Sequence, residues 1–530
     1  MKALTFSTLS IFFIVSCSVY GSTSDSAIDN FLQCLPNHSN REDIPIYTPT
    51  NSSFTSVLQA YAKNSRFLTS ATPKPLAIIT ATNETHVQAT VICAKAHGLQ
   101  VRVRSGGHDY EGLSYVSQVP FVVLDLFNLR AIDIDIEHET AWVQAGATTG
   151  ELYYKIANKS KVHAFPAGVC TTLGTGGHFS GGGYGTLIRK YGLSVDNIID
   201  AHIVTADGQI LDRQSMPVDL FWAIRGGGGA SFGVILSWKI KLVRVPPTVT
   251  VFDVTRTIEL GATEIVYRWQ QVAPYLPKDL FIRAMPQVVN RSQGGEKTIQ
   301  ISFIGFYLGK ANKLLSLTDS AFPELGLKKN DTKEVSWVES TLFWANFPNG
   351  TSVDVLLNRP ASTQVYFKSK SDFVRNLIPR QGLEHIWKLM IQVGPMWMQW
   401  NPYGGRMNEI SESETPFPHR AGYLFKIQYS LSWLDEKLDV EQQLNLMRDM
   451  HASMAPYVSK SPRESFLNYR DLDIGSNQSN DTDFNVAADT YGSSYFKNNF
   501  RRLTYAKGRV DPDNFFKNEQ SIPPNRIING

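Results

Sequence analysis

Two glycine-rich segments carry the residues best suited to chemistry: Arg104-Ser-Gly-Gly-His-Asp-Tyr-Glu-Gly112 and Cys170-Thr-Thr-Leu-Gly-Thr-Gly-Gly-His-Phe-Ser-Gly-Gly-Gly-Tyr-Gly185. Glycine runs leave main-chain N–H groups unscreened by side chains, and such nests bind anionic phosphate oxygens. Among the glycines stand an imidazole at His108 and a thiol at Cys170. The dinucleotide fingerprint Gly-x-Gly-x-x-Gly fails at Gly174-Thr-Gly176, because Phe179 occupies the place of the third glycine. No Gly-x-x-x-x-Gly-Lys-Ser/Thr occurs, which disfavours P-loop nucleotide hydrolysis. A third cluster, Gly226 to Gly229, leads into Gly229-Ala-Ser231-Phe-Gly233, the pattern of a serine-hydrolase elbow. That elbow needs a strand before the serine and a helix after it. Here glycines precede it and the strand-like Val234 to Ile240 follows, so hydrolysis is disfavoured.

The elements that must position these loops follow from periodicity. Thr82-Asn83 can cap a helix whose apolar residues Val87, Val91 and Ala94 recur at helical spacing, ending at Gly98. Leu99, Val101 and Val103 then alternate with polar residues in a strand that runs straight into Ser105. Phe121 to Leu124 reads as a buried strand, and Asp207-Gly208 as a hairpin turn between Ile198–Val204 and Ile210-Leu211. After Pro246-Pro247 the texture changes to strands near 249–258, 299–307 and 423–429, with helical segments near 262–271 and 440–454. In Tyr423 to Tyr429, period two places Lys426 and Gln428 on one face and the apolar residues on the other. A lysine so placed is ordinarily solvated. The run Met396 to Gly405 either walls an aromatic pocket or packs as a loop.

The 530 residues are 42% hydrophobic and 11% aromatic, enough for large cores and incompatible with a disordered or collagen-like chain. A net charge of +3 from 51 basic and 48 acidic residues provides no sustained basic field, which argues against nucleic acid as a partner. Residues 1–21 read as a secretory signal, with Lys2 before an apolar centre at Ile11 to Val15 and a cleavage site at Val19-Tyr-Gly21. No later run reaches the roughly 20 apolar residues of a membrane span. Nine sequons, at Asn37, Asn51, Asn83, Asn158, Asn290, Asn330, Asn349, Asn477 and Asn480, agree with export as a glycoprotein. The mature chain then holds Cys34, Cys93 and Cys170. In an oxidising compartment an odd cysteine must pair with another chain, stay reactive or bond to something else. Metal binding is a poor account, since neither Cys-x-x-Cys nor His-Glu-x-x-His occurs.

Ser105-Gly-Gly-His108-Asp-Tyr-Glu-Gly112, together with Cys170 and Gly-Gly-His178-Phe-Ser-Gly-Gly-Gly-Tyr184-Gly, resembles the berberine bridge enzyme-like proteins of plants over essentially the whole mature chain. These are secreted flavoproteins of the vanillyl alcohol oxidase fold. The resemblance implies an α+β chain: an FAD-binding domain of two α+β subdomains over 22–245, and an α+β substrate domain with an antiparallel sheet over 246–467. A C-terminal segment, 468–530, would return to the first domain. It implies FAD bound bicovalently, with the His108 imidazole on the flavin 8α-methyl carbon and the Cys170 thiolate on C6, leaving Cys34 and Cys93 for the family's disulfide. Two such links should raise the flavin's reduction potential. Arg104, Ser105, Gly106, Gly107, Gly112, Gly174, Gly176, Gly177, His178 and Gly181 would complete the cofactor site.

By the same resemblance Lys426 and Gln428 face the active site, as in members that oxidise monolignols, and Tyr184 is the base, with Tyr469 its rival. Tyr110 and Tyr469 would orient the substrate. A free tyrosine is a weak base at neutral pH, and a nearby ammonium favours its phenolate. The expectation is that Lys426 activates Tyr184, which takes the alcohol proton while hydride passes to flavin N5. No Asp or Glu lies between Tyr423 and Trp433, where berberine-forming members carry a carboxylate base, so oxidative ring closure of an alkaloid is disfavoured. Leu173 resembles the family's oxygen gate, where leucine accompanies slow reaction with O2. The expected enzyme is a secreted, cell-wall FAD oxidoreductase turning an alcohol into a carbonyl, a monolignol-like aromatic allylic alcohol first. Oxidation of an oligosaccharide's anomeric carbon, oxidation of indolic or other defence metabolites, and a non-catalytic flavin-carrying glycoprotein are the alternatives. The expected partners are a small-molecule alcohol and an electron acceptor the residues do not identify. A monomer is expected, with no membrane attachment.

Overall fold

A computed structural model describes residues 26–39, 44–291, 295–360, 365–477 and 484–525. The signal segment and the sequon at Asn480 lie outside them. Three large sheets organise the described residues, beside a two-stranded pair of His163–Ala164 with Val243–Arg244. The first has the order Ile46–Tyr47, Ala77–Thr80, Phe121–Asp125, Gln100–Arg104. Phe121–Asp125 pairs in parallel with both neighbours and is buried along its whole length, as its unbroken apolar run requires. The helix Glu84–Ala96 makes the crossover between the two outer parallel strands. Its first turn is capped by Asn83, whose side-chain oxygen accepts from the His86 N–H at 3.2 Å. Gln100–Arg104 ends at Ser105, so the first glycine loop leaves from the end of this sheet. A disulfide joins Cys93 of the crossover helix to Cys34, in a helix over 26–38.

The second sheet is antiparallel, ordered Ile132–Asp135, Thr140–Gln144, Val234–Lys241, Ile198–Val204, Ile210–Leu211, with the Asp207-Gly208 turn closing its last hairpin. It anchors the second glycine loop: the Gly176 N–H donates to the Ala145 carbonyl at 3.0 Å and the Thr175 N–H to Ala147 at 2.8 Å. Strand Val234–Lys241 directly follows Ser231, which excludes the hydrolase elbow. Ser231 is structural instead. Its hydroxyl accepts from the Ile522 N–H at 3.1 Å, and its carbonyl accepts from buried Lys507 at 2.6 Å. These contacts, with helix Asn499–Val510 against Val218–Ile224, return the C-terminal segment to the first half of the chain.

The third sheet begins just after Pro246-Pro247. Seven antiparallel strands run Thr332–Val335, Val249–Thr257, Lys297–Tyr307, Leu280–Asn290, Met396–Pro402, Phe425–Trp433, Tyr366–Val374. Helices Ala262–Val272, Arg380–Val393 and Val440–Ser453 cover one face, burying Trp269, Trp387, Met447 and Trp400 in a core of its own. The other face meets the glycine loops. No helix among the described residues is long and apolar enough to cross a membrane. Asn37, Asn51, Asn158, Asn290, Asn330 and Asn349 are exposed. The Asn83 and Asn477 amides are instead engaged within the chain, Asn477 Nδ2 donating to the Asn518 carbonyl at 3.1 Å.

Arg189 pins the third sheet to the rest. Its buried guanidinium donates to five main-chain carbonyls: Pro274 at 2.9 Å, Leu276 at 2.6 Å, Pro277 at 3.3 Å, Tyr403 at 3.0 Å and Leu280. Removing it strands several buried acceptors at once, each costing about 1–3 kcal/mol. Arg189→Met should therefore lower stability by at least about 3 kcal/mol in denaturant unfolding. Arg189→Lys, with a single donor atom, should recover only part of the loss. A Met variant within about 0.5 kcal/mol of wild type would refute the pin.

Candidate active site

The two glycine loops touch backbone to backbone. A Cβ on Gly106 would stand 2.3 Å from the Gly174 nitrogen, and one on Gly174 would stand 2.1 Å from Ser105 Oγ. Ser105 Oγ donates to the Ala145 carbonyl at 2.6 Å, tying the first loop to the second sheet. The result is a cavity of about 410 Å3 walled by both loops, by Gly228 to Ala230, and by Trp397, Gln399 and Gln428 of the third sheet. Ser105, Gly106, Gly107, His108, Cys170, Leu173, Gly174, Gly176, Gly177, His178 and Gly181 all line it.

Two of the expected cofactor residues do not. Arg104 is paired with Asp125 at 2.6 Å and donates to the carbonyls of Val57 and Leu58. The parallel register sets Asp125 beside it on the next strand, so the carboxylate captures the guanidinium. Gly112, at φ +71°, packs against the Phe67 ring and serves the turn.

The cavity's unsatisfied donors suit a phosphate-bearing cofactor. Arg102 is 3% exposed, and its Nε and Nη1 have no partner among the described residues, while Nη2 donates to Glu519 at 2.8 Å. Arg470 pairs through Nε with Asp109 at 3.0 Å and likewise leaves Nη1 unpartnered. Buried guanidinium donors beside bare glycine backbone fit anionic phosphate oxygens. Gly177 has nothing within 4 Å of where a Cβ would stand. Cys170 is a free thiol. Burial, with help from the Lys63 charge, pushes the His108 imidazole down to about 3, so it is neutral. His178 is likewise pushed to about 3, chiefly by burial and then by Lys426, and its Nε2 accepts from the Gly168 N–H at 2.8 Å.

At the other wall the structure brings together Tyr110, Tyr184, Lys426, Gln428 and Tyr469. Lys426 is fully buried, its Nζ 3.9, 3.8 and 4.3 Å from the ring centroids of Tyr184, Phe466 and Tyr469. Gln428 Nε2 donates to the Tyr110 hydroxyl at 2.8 Å, and Tyr110 stacks on Tyr469 with centroids 5.7 Å apart. Tyr184 Oη and Lys426 Nζ are buried with no hydrogen-bond partner among the described residues.

The expected relation between Lys426 and Tyr184 needs correction. The ammonium lies over ring faces, not beside a hydroxyl, and burial, then Arg283, pushes its pKa well below the usual lysine range. Three ring faces oppose that loss of charge through cation–π attraction. Burial pushes the Tyr184 phenol well above 10, and Arg283 is the strongest opposing influence; Tyr469, subject to the same two effects, is raised only to about 12.

Arg283 was missed from sequence. It lies in strand Leu280–Asn290, 4% exposed, donating through Nε to Asn401 Oδ1 at 2.7 Å. A lone arginine between Ile282 and Ala284 in an apolar run was the available signal. Lys368 and Lys370 were missed too. Lys368 Nζ reaches Glu111 at 2.5 Å and Asp471 at 2.7 Å, and Lys370 reaches Asp471 at 2.7 Å. They tie the Tyr110 loop and the Tyr469 segment to strand Tyr366–Val374. The Met396 run is neither of its alternatives alone: as strand Met396–Pro402 it puts Trp397 and Gln399 at the cavity and Met396, Met398 and Trp400 in the core.

Comparison with known proteins places this geometry. Residues 75–213 match the family described as FAD binding domain, and residues 465–523 match that described as Berberine and berberine like. Berberine bridge enzyme-like 17 of Arabidopsis thaliana is 55% identical over 501 residues, covering 94% of each chain. Tetrahydroberberine oxidase of Berberis wilsoniae is 54% identical over 506 residues, covering 95% of each. Among solved structures, Phl p 4, a grass pollen allergen with glucose dehydrogenase activity, matches with a TM-score of 0.88 at 43% identity, covering 93% of this chain and 99% of the allergen. Its isoleucine-to-valine variant is described as a glucose oxidase.

Arg102→Met should lower flavin capture about tenfold or more, the scale of lost charge-assisted hydrogen bonds. The ratio of visible flavin absorbance to protein reads this directly. Glu519→Gln, which keeps the guanidinium, should retain the flavin; equal losses in both variants would make Arg102 structural only.

Proposed function

The chain belongs to the berberine bridge enzyme-like family of FAD-linked oxidoreductases, and from that premise we propose that it oxidises an alcohol to a carbonyl at the wall formed by Tyr184, Gln428 and Tyr469. Bound FAD supplies the two-electron acceptor for the hydride; in this reading His108 and Cys170 hold it covalently. The observation that carries the proposal is the buried Tyr184 Oη, which lines the cavity with no hydrogen-bond partner among the described residues, backed by the equally unpartnered Lys426 Nζ over its ring. Tyr184 takes the hydroxyl proton. Arg283 favours its phenolate, and Lys426 packs against its ring face. Tyr469 is the rival base. Gln428 donates one Nε2–H to the Tyr110 hydroxyl and keeps the other for the substrate oxygen.

The parallel Tyr110–Tyr469 pair with Phe466 and Trp397 gives the cavity flat aromatic walls, which favours a monolignol-like aromatic allylic alcohol. Trp397 beside Gln399 and Gln428 also suits a sugar, so oxidation at an anomeric carbon is the second reading, in line with the glucose dehydrogenase relative. Among the described residues, alkaloid ring closure has no free carboxylate base at the cavity: Asp109 is the only acidic residue lining it and is paired with Arg470. Indolic or other defence metabolites stay in the screen because of the tetrahydroberberine oxidase relative. We further propose a monomeric, secreted, cell-wall glycoprotein passing electrons to an acceptor other than O2. Leu173, lining the cavity against Gly168, supports that acceptor choice.

Anaerobic mixing with a coniferyl-type alcohol should bleach the flavin, faster as pH rises because the base must lose its own proton first. Tyr184→Phe should slow bleaching about 10²–10⁴-fold while leaving the flavin spectrum intact. A flavin that no alcohol bleaches would identify a non-catalytic carrier, and rapid bleaching by glucose or cellobiose alone would select the second reading. The reduced protein should reoxidise slowly in air and Leu173→Val should speed this; fast reoxidation of wild type would overturn the acceptor proposal.

A further inference from the structure

One hydroxyl stands between the two anchoring side chains and takes no part in the reaction proposed above. Thr172 Oγ1 lies 3.0 Å from His108 Nε2 and 3.6 Å from Cys170 Sγ. The backbone around it is held on both sides. The Gly150 N–H donates to the Thr171 carbonyl at 2.8 Å, the Thr149 N–H to Leu173 at 2.9 Å, and Thr149 Oγ1 to the Cys170 carbonyl at 2.8 Å. The Thr172 carbonyl itself abuts Gly106, where a Cβ would meet it at 3.1 Å. The hydroxyl is therefore placed by the same packing that joins the two loops.

We propose that Thr172 is the positioning residue for covalent attachment of the flavin, its hydroxyl accepting a hydrogen bond from His108 Nε2–H and donating one toward Cys170 Sγ. This rests on the bicovalent reading of His108 and Cys170. With the Nε2 proton engaged, the lone pair sits on Nδ1, the nitrogen left to bond carbon, and the hydroxyl stabilises the positive charge that builds on the ring. Donation to sulfur favours the thiolate, the nucleophilic form. Each attachment replaces one flavin C–H bond by a C–N or C–S bond. The side-chain proton and the proton from carbon leave to water, and the two electrons released pass through the flavin to dioxygen or another two-electron acceptor. Burial keeps the imidazole neutral, as this chemistry requires.

The test is a map of flavin on the proteolytic peptides containing His108 and Cys170, by mass spectrometry, in wild type and in Thr172→Ser and Thr172→Val. The Val variant should form the His108 link about five- to tenfold more slowly, the scale of one lost hydrogen bond, with a smaller deficit at Cys170. The Ser variant should match wild type. Total flavin retained before denaturation should be unchanged in all three, which a general packing defect would not allow. Should the Val variant not fold, Thr172→Ala, which removes the hydroxyl without adding bulk, decides by the same map. Wild-type rates at both links in the Val or Ala variant would overturn the role of Thr172 while leaving bicovalent FAD intact. Wild type with flavin on neither peptide would overturn both.

Discussion

At Gly106 and Gly174 two loops from different sheets meet with no room for a methyl group on either side, and the site is built outward from that contact. The loop bearing His108 leaves the end of a parallel strand, while the loop bearing Cys170 hangs from an antiparallel sheet by main-chain bonds to Ala145 and Ala147. Nothing in either sheet would bring an imidazole and a thiol to one wall. The glycine contact does so, because a side chain at either position would separate the loops by about the thickness of a methylene group, roughly enough to break the His108–Thr172 hydrogen bond between them. Thr172 then stands within reach of both anchors as a by-product of the same packing.

The opposite wall depends on how buried charge is compensated. Burying an ion is expensive unless it is paired or hydrogen-bonded. Most buried cations here obey that rule: Lys368 and Lys370 share Asp471, Arg420 pairs with Asp196, and Arg189 is satisfied by carbonyls alone. Lys426 is the exception, enclosed by three aromatic rings with no ion-pair or hydrogen-bond partner among the described residues. Its charge is consequently labile, poised between desolvation and the ring quadrupoles. Such an unstable arrangement persists where the surrounding structure fixes it, and here it lies against the Tyr184 ring. Burial holds the Tyr184 phenol protonated, and Arg283, from another strand of the same sheet, is the strongest opposing influence on it, followed by Arg189.

The three parts of the site come from regions far apart in the chain and are locked together by contacts that do no chemistry. Arg189 holds the third sheet through main-chain acceptors, and the Lys368–Asp471–Glu111 cluster ties the Tyr110 loop and the Tyr469 segment to strand Tyr366–Val374. The Tyr110–Tyr469 stack is thereby clamped from both ends. A cavity whose aromatic walls are held by buried ion pairs can present fixed polar groups to a substrate without reorganising, which is the condition for effective positioning.

Local order was readable in the residues themselves. Alternation put Lys426 and Gln428 on one face of their strand, apolar spacing marked the crossover helix, and the glycine runs announced a phosphate-bearing ligand, because each depends on neighbours within a few positions. The family resemblance extended that to FAD and the disulfide. What lies across a strand or on another sheet depends instead on tertiary register. The family resemblance makes Arg104 a cofactor residue, yet the parallel partner Asp125 captures it, while Arg102 pairs in register with Val123 and keeps two donors unpartnered among the described residues. The period of a strand says which way Lys426 points; only the packing of residues 184, 283, 466 and 469 around it decides whether that direction holds water, an anion or aromatic rings, and so whether the lysine is a solvated charge or a buried cation held against ring faces.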